Sequence, residues 1–216
     1  MDTTICYCCD KPAVGQGDHV PPMKLFPKGL FSNTKPIIVP SCPEHNQEKS
    51  RSDEYLKFVL TSSSESIPSD VLGSTVRGLI RHIKNDSKNL PEFGIERKED
   101  EVFVDSSAPI NLALLTEALE KIARGIYFYH SNGERKLLGR LVVCPVFLGI
   151  DPSASSDERE RLMSIEFLTK QDMETLEMFG SFKDLFSYQV IENSQMVVIN
   201  MLFYAKNIVS VMHVRA

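Results

Sequence analysis

The chain has 216 residues, a formal net charge of −5, and 42% hydrophobic and 25% charged residues. That length and composition suit a soluble globular protein of one large domain or two small ones, with enough apolar sequence to bury a sizeable core. The acidic balance excludes nucleic-acid binding by bulk charge, so any such contact must come from a local basic patch.

The first unit, residues 1–60, is rich in Pro, Cys and short turns. Pro21, Pro22, Pro27, Pro36, Pro40 and Pro43 forbid a long helix before position 43. Ile37, Ile38 and Val39 read as a short strand leading into Cys42. HNQEKSRSDEYLKFVLTSS then reads as helix with a break near Ser50–Ser52; Ser52 is a plausible N-cap for a second piece whose buried side holds Tyr55, Leu56, Val59 and Leu60. SSSESIPSD, 62–70, is a polar linker. Ser69 or Asp70 caps a further helix with Val71, Leu72, Val76, Leu79, Ile80 and Ile83 as its apolar stripe. Residues 85–100 are polar and read as irregular. A strong helix is expected over 110–127, with Leu112, Leu115, Leu119, Ile122 and Ile126 packing into a core. SNGER, 131–135, marks a turn, LVVCPVFLGI a strand, and ASSDERERLMSIEFL a helix. The alternating stretches FSYQVI, SQMVVINMLFY and NIVSVMHV, with turns at Glu192-Asn193 and Lys206-Asn207, read as an antiparallel meander. The expected class is therefore α+β, with domains at 1–60 and 61–216.

Four of the five cysteines fall within the first 42 residues, and the N-terminus MDTTICYCCD lacks the basic-then-apolar pattern of an export signal. A reducing, cytoplasmic setting and metal ligation fit this better than disulfides. The longest apolar stretch is broken by Arg140 and Pro145 and is too short to span a bilayer, so no membrane role is expected. The first 57 residues carry seven basic and seven acidic side chains; the rest carry 17 and 22, which leaves the N-terminal part the less acidic.

Cys6 with Cys9, and Cys42 with His45, form two pairs of two-residue spacing. Such pairs suit a tetrahedral Zn²⁺, and a closed four-ligand site is structural rather than catalytic. Cys8 is a spare thiol. Between the pairs lie Asp18 and His19, in GDHVPP. Adjacent strand residues point to opposite faces. Both therefore serve one site only if His19 faces the reacting group while Asp18 reaches a metal at the end or bend of the strand, which Pro21 and Pro22 stiffen. The Asn46 amide oxygen can join Asp18 on a hard cation such as Mg²⁺, and Lys49 lies one turn on, within reach of a phosphate. Asp53 and Glu54 suit the first turn of a helix. Cys144 reads as core, and His82, His130 and His213 fall in separate elements.

Taken together, C-x-x-C, DHVPP and VPSC-x-x-HN-x-x-KS-x-x-DEY resemble the HNH endonucleases. The resemblance spans about residues 5–57, roughly a quarter of the chain. It implies a ββα-metal, treble-clef-like unit on a zinc knuckle. It also implies that His19 is the general base and that Asp18 and Asn46 hold one divalent cation, Mg²⁺ or Mn²⁺, on the scissile phosphate. The chain departs from the family in three places. Ile37 and Ile38 stand near the position of the family's central Asn, with Asn33 the closest candidate. His45 replaces a frequent second knuckle Cys, and Lys49 occupies a position that is often His or Asn. The expectation is a metal-dependent endonuclease acting on nucleic acid, DNA ahead of RNA, in anti-phage defence or as a toxin, beside a partner such as an ATPase or sensor protein. The rival expectation is a zinc-stabilised binding module that cleaves nothing. Residues 61–216 would bind substrate or partner.

Overall fold

The computed structural model describes residues 4–47, 50–64, 66–85, 93–98, 101–104, 109–151 and 153–215. The chain is α+β, with four long helices, a one-turn helix and nine strands among the described residues. The N-terminal part runs β1 (Asp18–His19), β2 (Ile38–Val39), α1 (Pro43–Gln47) and α2 (Ser50–Ser62). Strands β1 and β2 pair antiparallel, Asp18 opposite Val39 and His19 opposite Ile38. The loop enters β1 through Gly17 at φ +79, where a Cβ would lie 2.7 Å from the Val39 carbonyl oxygen. Only glycine suits both that left-handed backbone and that approach.

After Cys42, Pro43–Gln47 and Ser50–Ser62 are helical; the two residues between them lie outside the described ones, and the expected break near Ser50–Ser52 is not found, since α2 is already helical at Ser50. Ser52 is therefore no cap. It sits buried inside α2 and donates to Glu117 Oε1 at 3.2 Å. Tyr55, Leu56, Val59 and Leu60 are buried as the spacing predicts.

Helix α3 (Ser69–Asn85) begins after the polar linker. Among the described side chains of its apolar stripe only Val71 is fully buried, while Leu72, Val76 and Ile80 are about half exposed (45%, 47% and 45%). Spacing shows that a face is apolar, not that the fold supplies a neighbour for it. Residues 85–100 are not wholly irregular: β3 (Ile95–Lys98) pairs antiparallel with β4 (Glu101–Val104) in a separate hairpin.

Helix α4 (Leu112–His130) is the spine of the molecule. Asn111 caps it, its side chain accepting from the Leu114 amide at 3.2 Å. Leu115, Leu119, Ile122 and Ile126 are buried, but Leu112, one turn too early, is exposed. The helix touches α2, β2, and the later strands β5 (Val142–Cys144) and β9 (Asn207–Val214). Pro145 ends β5 after three residues, because proline donates nothing to a ladder.

Helix α5 (Ser156–Thr175) opens with a capping box between Ser155 and Glu158. It leads into β6 (Phe179–Phe182), β7 (Phe186–Glu192) and β8 (Met196–Phe203). The expected meander is β7–β8–β9, and β6 and β5 extend it to a five-stranded antiparallel sheet of order β5-β9-β8-β7-β6. Val197, Ile199, Met201 and Phe203 alternate into the core. Gln189, Asn200 and Ser210 are aligned across three strands on the other side of the pleat and are buried too. Gln189 Nε2 donates there to the Asp172 and Leu176 carbonyls at the end of α5, each at 2.9 Å. The second predicted turn lies earlier than expected, at Tyr204–Lys206, since Asn207 is already paired with Phe203.

One buried apolar cluster takes residues from both sides of position 60, from Cys6, Val39 and Leu56 to Ile126, Ile199 and Val211. Tyr204 Oη donates to the Leu25 carbonyl at 2.7 Å across it. Among the described residues no helix is long and apolar enough to cross a membrane.

Candidate metal centre and adjoining residues

The knuckle is a tight hairpin in which Cys6 donates its amide to Lys11 O (3.0 Å) and Ala13 to Thr4 O (2.8 Å). It is stapled to the exit of β2 by Tyr7 N to Pro40 O (2.8 Å) and Val14 N to Ser41 O (3.0 Å). Pro43 starts α1, where a missing amide proton costs nothing, and Asn46 N bonds back to Cys42 O at 3.0 Å. One helical turn therefore aims Cys42 and His45 at the same point.

The four side chains predicted as ligands converge, and their ligand atoms all lie within 4.8 Å of one another. Cys9 Sγ is 3.8 Å from Cys42 Sγ, and His45 Nδ1 is 3.6 Å from both Cys6 Sγ and Cys9 Sγ. A tetrahedron with Zn–S of about 2.3 Å and Zn–N of about 2.0–2.1 Å has edges of about 3.8 Å between sulfurs and about 3.6 Å from sulfur to nitrogen. The fourth measured edge, Cys42 Sγ to His45 Nδ1, is tighter at 3.1 Å. These donors are close enough to hold a metal ion, and their identity and spacing are compatible with zinc. None of the five cysteines is in a disulfide.

Burial opposes ionisation of Cys6, but the amides of Cys8, Cys42 and Cys9 outweigh it and hold the Cys6 thiol below its ordinary pKa. The Cys8 amide lies 3.4 Å from Cys6 Sγ. Burial pushes the Cys9 thiol the other way. Outside the cluster, Lys11 bridges Glu44 with Nζ–O distances of 2.5 and 2.6 Å on the exposed rim, and Lys136 Nζ donates to Cys9 O at 2.8 Å. The second contact ties the segment after α4 to the knuckle.

Asp18 is buried, 8% exposed, and accepts from Tyr7 Oη at 3.0 Å. Tyr7, between Cys6 and Cys8 in sequence, is fully buried. Burial first, then the neighbouring thiols and Asp53, push its hydroxyl pKa well up, so it remains a donor. Composition alone gives no reason to single out Tyr7, and only its place between two cysteines marks it. Asp53 lies buried in the first turn of α2, as its position suggests.

His19 stands on the opposite pleat from Asp18, half-buried and paired with the exposed Ile38. Asn46 is exposed on α1, and Lys49 lies outside the described residues. The structure thus gathers Cys6, Cys9, Cys42 and His45 at one point and places Asp18 inward on Tyr7. Cys144 is core-facing as expected, its thiol pKa raised by burial. His130 packs edge-on to Phe179 at 4.9 Å, and His213, on β9, has its Nδ1 3.4 Å from Arg140 O. No second metal-ligand cluster occurs among the described residues.

The chain matches no protein-family model, no curated protein and no solved structure.

Proposed function

We propose that the protein is a metal-dependent endonuclease of HNH type. The observation that carries the reading is the order β1–β2–α1–α2 closed by three thiols and one imidazole within 4.8 Å, with His19 on β1 and Asn46 next to the ligand His45. In this reading Cys6, Cys9, Cys42 and His45 hold structural Zn²⁺, which fixes the loop and helix without entering the chemistry. Asp18 and Asn46 hold a divalent ion, Mg²⁺ or Mn²⁺, whose contribution is to neutralise charge developing on the phosphate. His19 takes a proton from the attacking water, the general-base role that an imidazole can fill. Lys49 contacts a neighbouring phosphate. The family resemblance adds a place in anti-phage defence or toxin action and a partner such as an ATPase or sensor.

A second reading is a zinc-stabilised binding module without catalysis. It is favoured by the bond from Tyr7 to Asp18, which turns that carboxylate inward while His19 faces out. Plasmid incubated with zinc-loaded protein and Mg²⁺ or Mn²⁺ separates the two. Cleavage by the parent chain and its loss in His19→Ala supports the nuclease. Intact plasmid in both metals, with one zinc per chain retained and no partner co-purifying, refutes it in favour of the module.

A further inference from the structure

A cavity of about 220 Å³ opens between α2 and α3, and none of the four clustered donors lines it. Three cationic side chains line it, Lys24, Lys57 and Arg81, against one carboxylate, Glu54. Lys24 belongs to the short 3-10 turn Met23–Leu25 that follows DHVPP, and its Nζ is 4.0 Å from Glu54 Oε1. Lys57 is the unusual member. It is 8% exposed, and its Nζ donates to Ser74 Oγ at 2.5 Å. Among the described residues no carboxylate comes within ion-pairing distance of it.

Ser74 cannot offset that charge, because its own proton goes to the Val71 carbonyl at 2.8 Å. The nearest helix-capping acid, Asp70, is engaged by the Lys28 and Val71 amides, each at 3.0 Å. Burial, then the Lys24 charge, with Arg77 adding and Glu54 opposing, holds the ammonium pKa below that of ordinary lysine. A buried cation with a neutral partner and cationic neighbours is costly unless an anion joins it. Part of the remaining wall is aromatic, beside Thr75, Gly78 and Leu79: Phe58 and Phe93 meet edge-to-face with ring centroids 5.1 Å apart.

We propose that this cavity binds a phosphate of a single nucleic-acid strand, with Lys57, Lys24 and Arg81 on the phosphate and the Phe58–Phe93 pair against the adjoining base. Cations beside aromatic rings are the usual combination for single strands, and the bases need not be read by hydrogen bonds. A local basic site also answers how a chain of net charge −5 can hold a polyanion. The choice of nucleic acid over another phosphate carrier rests on the nuclease reading; the anion site does not.

The test is binding, measured without added Mg²⁺ or Mn²⁺ so that cleavage plays no part. Fluorescence anisotropy follows a labelled single-stranded oligothymidylate on the full zinc-loaded chain, alongside an uncharged-backbone oligomer of the same sequence and inorganic phosphate as competitor. Binding should fall as salt rises, and Lys57→Met should weaken it about tenfold. Arg81→Gln, at an exposed position, should weaken it several-fold and covers the case in which Lys57→Met fails to fold. Binding unchanged in Arg81→Gln and in folded Lys57→Met, or equal binding of the uncharged oligomer, overturns the proposal. So does absence of both oligomer and phosphate binding. Phosphate binding without oligomer binding overturns the nucleic-acid assignment. Plasmid cleavage by the parent and His19→Ala reports on the nuclease reading separately.

Discussion

Gly125 offers the sharpest test of how the DHVPP segment is held. A Cβ at this position would lie 2.5 Å from Val20 Cγ2 and 3.0 Å from Val20 Cγ1. Val20, the residue after His19, is 2% exposed and has nowhere to go. Overpacking of this kind costs about 1–3 kcal/mol. Replacing a helical glycine by alanine returns about 0.5–1 kcal/mol. Gly125→Ala alone should therefore destabilise the chain by about 1–2 kcal/mol. Val20→Ala removes both clashing methyls and should cost about 2 kcal/mol by itself. In that background Gly125→Ala should change sign and stabilise by about 0.5–1 kcal/mol, because the two clashing methyls are gone, the one tight contact left, to Cβ of residue 20 at 3.2 Å, needs only a small shift, and the helix gains propensity. Urea denaturation of the zinc-loaded proteins, followed by far-UV circular dichroism, gives all four stabilities. The coupling expected is about 1.5–3 kcal/mol, and additivity within about 0.5 kcal/mol, or a Gly125→Ala that stabilises the parent, would refute the close packing of α4 on Val20.

Cys42→Ser should lower zinc content from about one per chain to near zero, read by elemental analysis, and lower the melting temperature by roughly 10 °C as several kcal/mol of metal-linked folding are lost. Ala205, exposed at φ +54 between β8 and β9, is a non-glycine in left-handed backbone; Ala205→Gly should stabilise by about 0.5–1 kcal/mol, a rise of roughly 1–4 °C by calorimetry. Glu192 Oε1 accepts from Tyr127 Oη at 3.1 Å, from Arg135 Nη1 at 2.6 Å and from Arg215. Burial raises its pKa, but those partners outweigh it and the folded value lies below the ordinary one. Its stabilisation is therefore present above the ordinary carboxylate pKa and lost as pH falls through the folded value. Glu192→Gln should cost about 1 kcal/mol at neutral pH, after allowance for solvent screening, and almost nothing in acid; a cost independent of pH would be inconsistent with this.

Much of the architecture was legible because one physical signal dominated each element. Two-residue alternation marks β7, β8 and β9, and the stripe Leu115, Leu119, Ile122, Ile126 marks α4. Where signals compete, local pattern is insufficient. Lys206-Asn207 has turn chemistry, yet the turn forms at Tyr204–Lys206, with Tyr204 itself in left-handed backbone and its hydroxyl anchored to Leu25. That tertiary bond joins residues 179 positions apart and leaves no local trace. The apolar face of α3 is plain in the sequence, but its exposure depends on where α2 and the sheet lie. At the metal centre all four donors were legible because ligand chemistry restricts residue type and spacing together. Tyr7 was not, since a tyrosine beside a cysteine has no distinctive pattern until its partner is known.

That tyrosine connects the metal knot to His19. Strand β1 has only two residues, so its pleat is set by whichever side chain is more firmly held. Asp18 is held from below by Tyr7, and Tyr7 is flanked in sequence by Cys6 and Cys8, the first of which belongs to the cluster close enough to hold a metal ion. Alternation then turns His19 outward opposite Ile38, and Val20 turns back inward against Gly125. The outward face of His19 is thus fixed on one side by the knuckle and on the other by α4. A metal at the knuckle needs no contact with substrate to govern where that imidazole points.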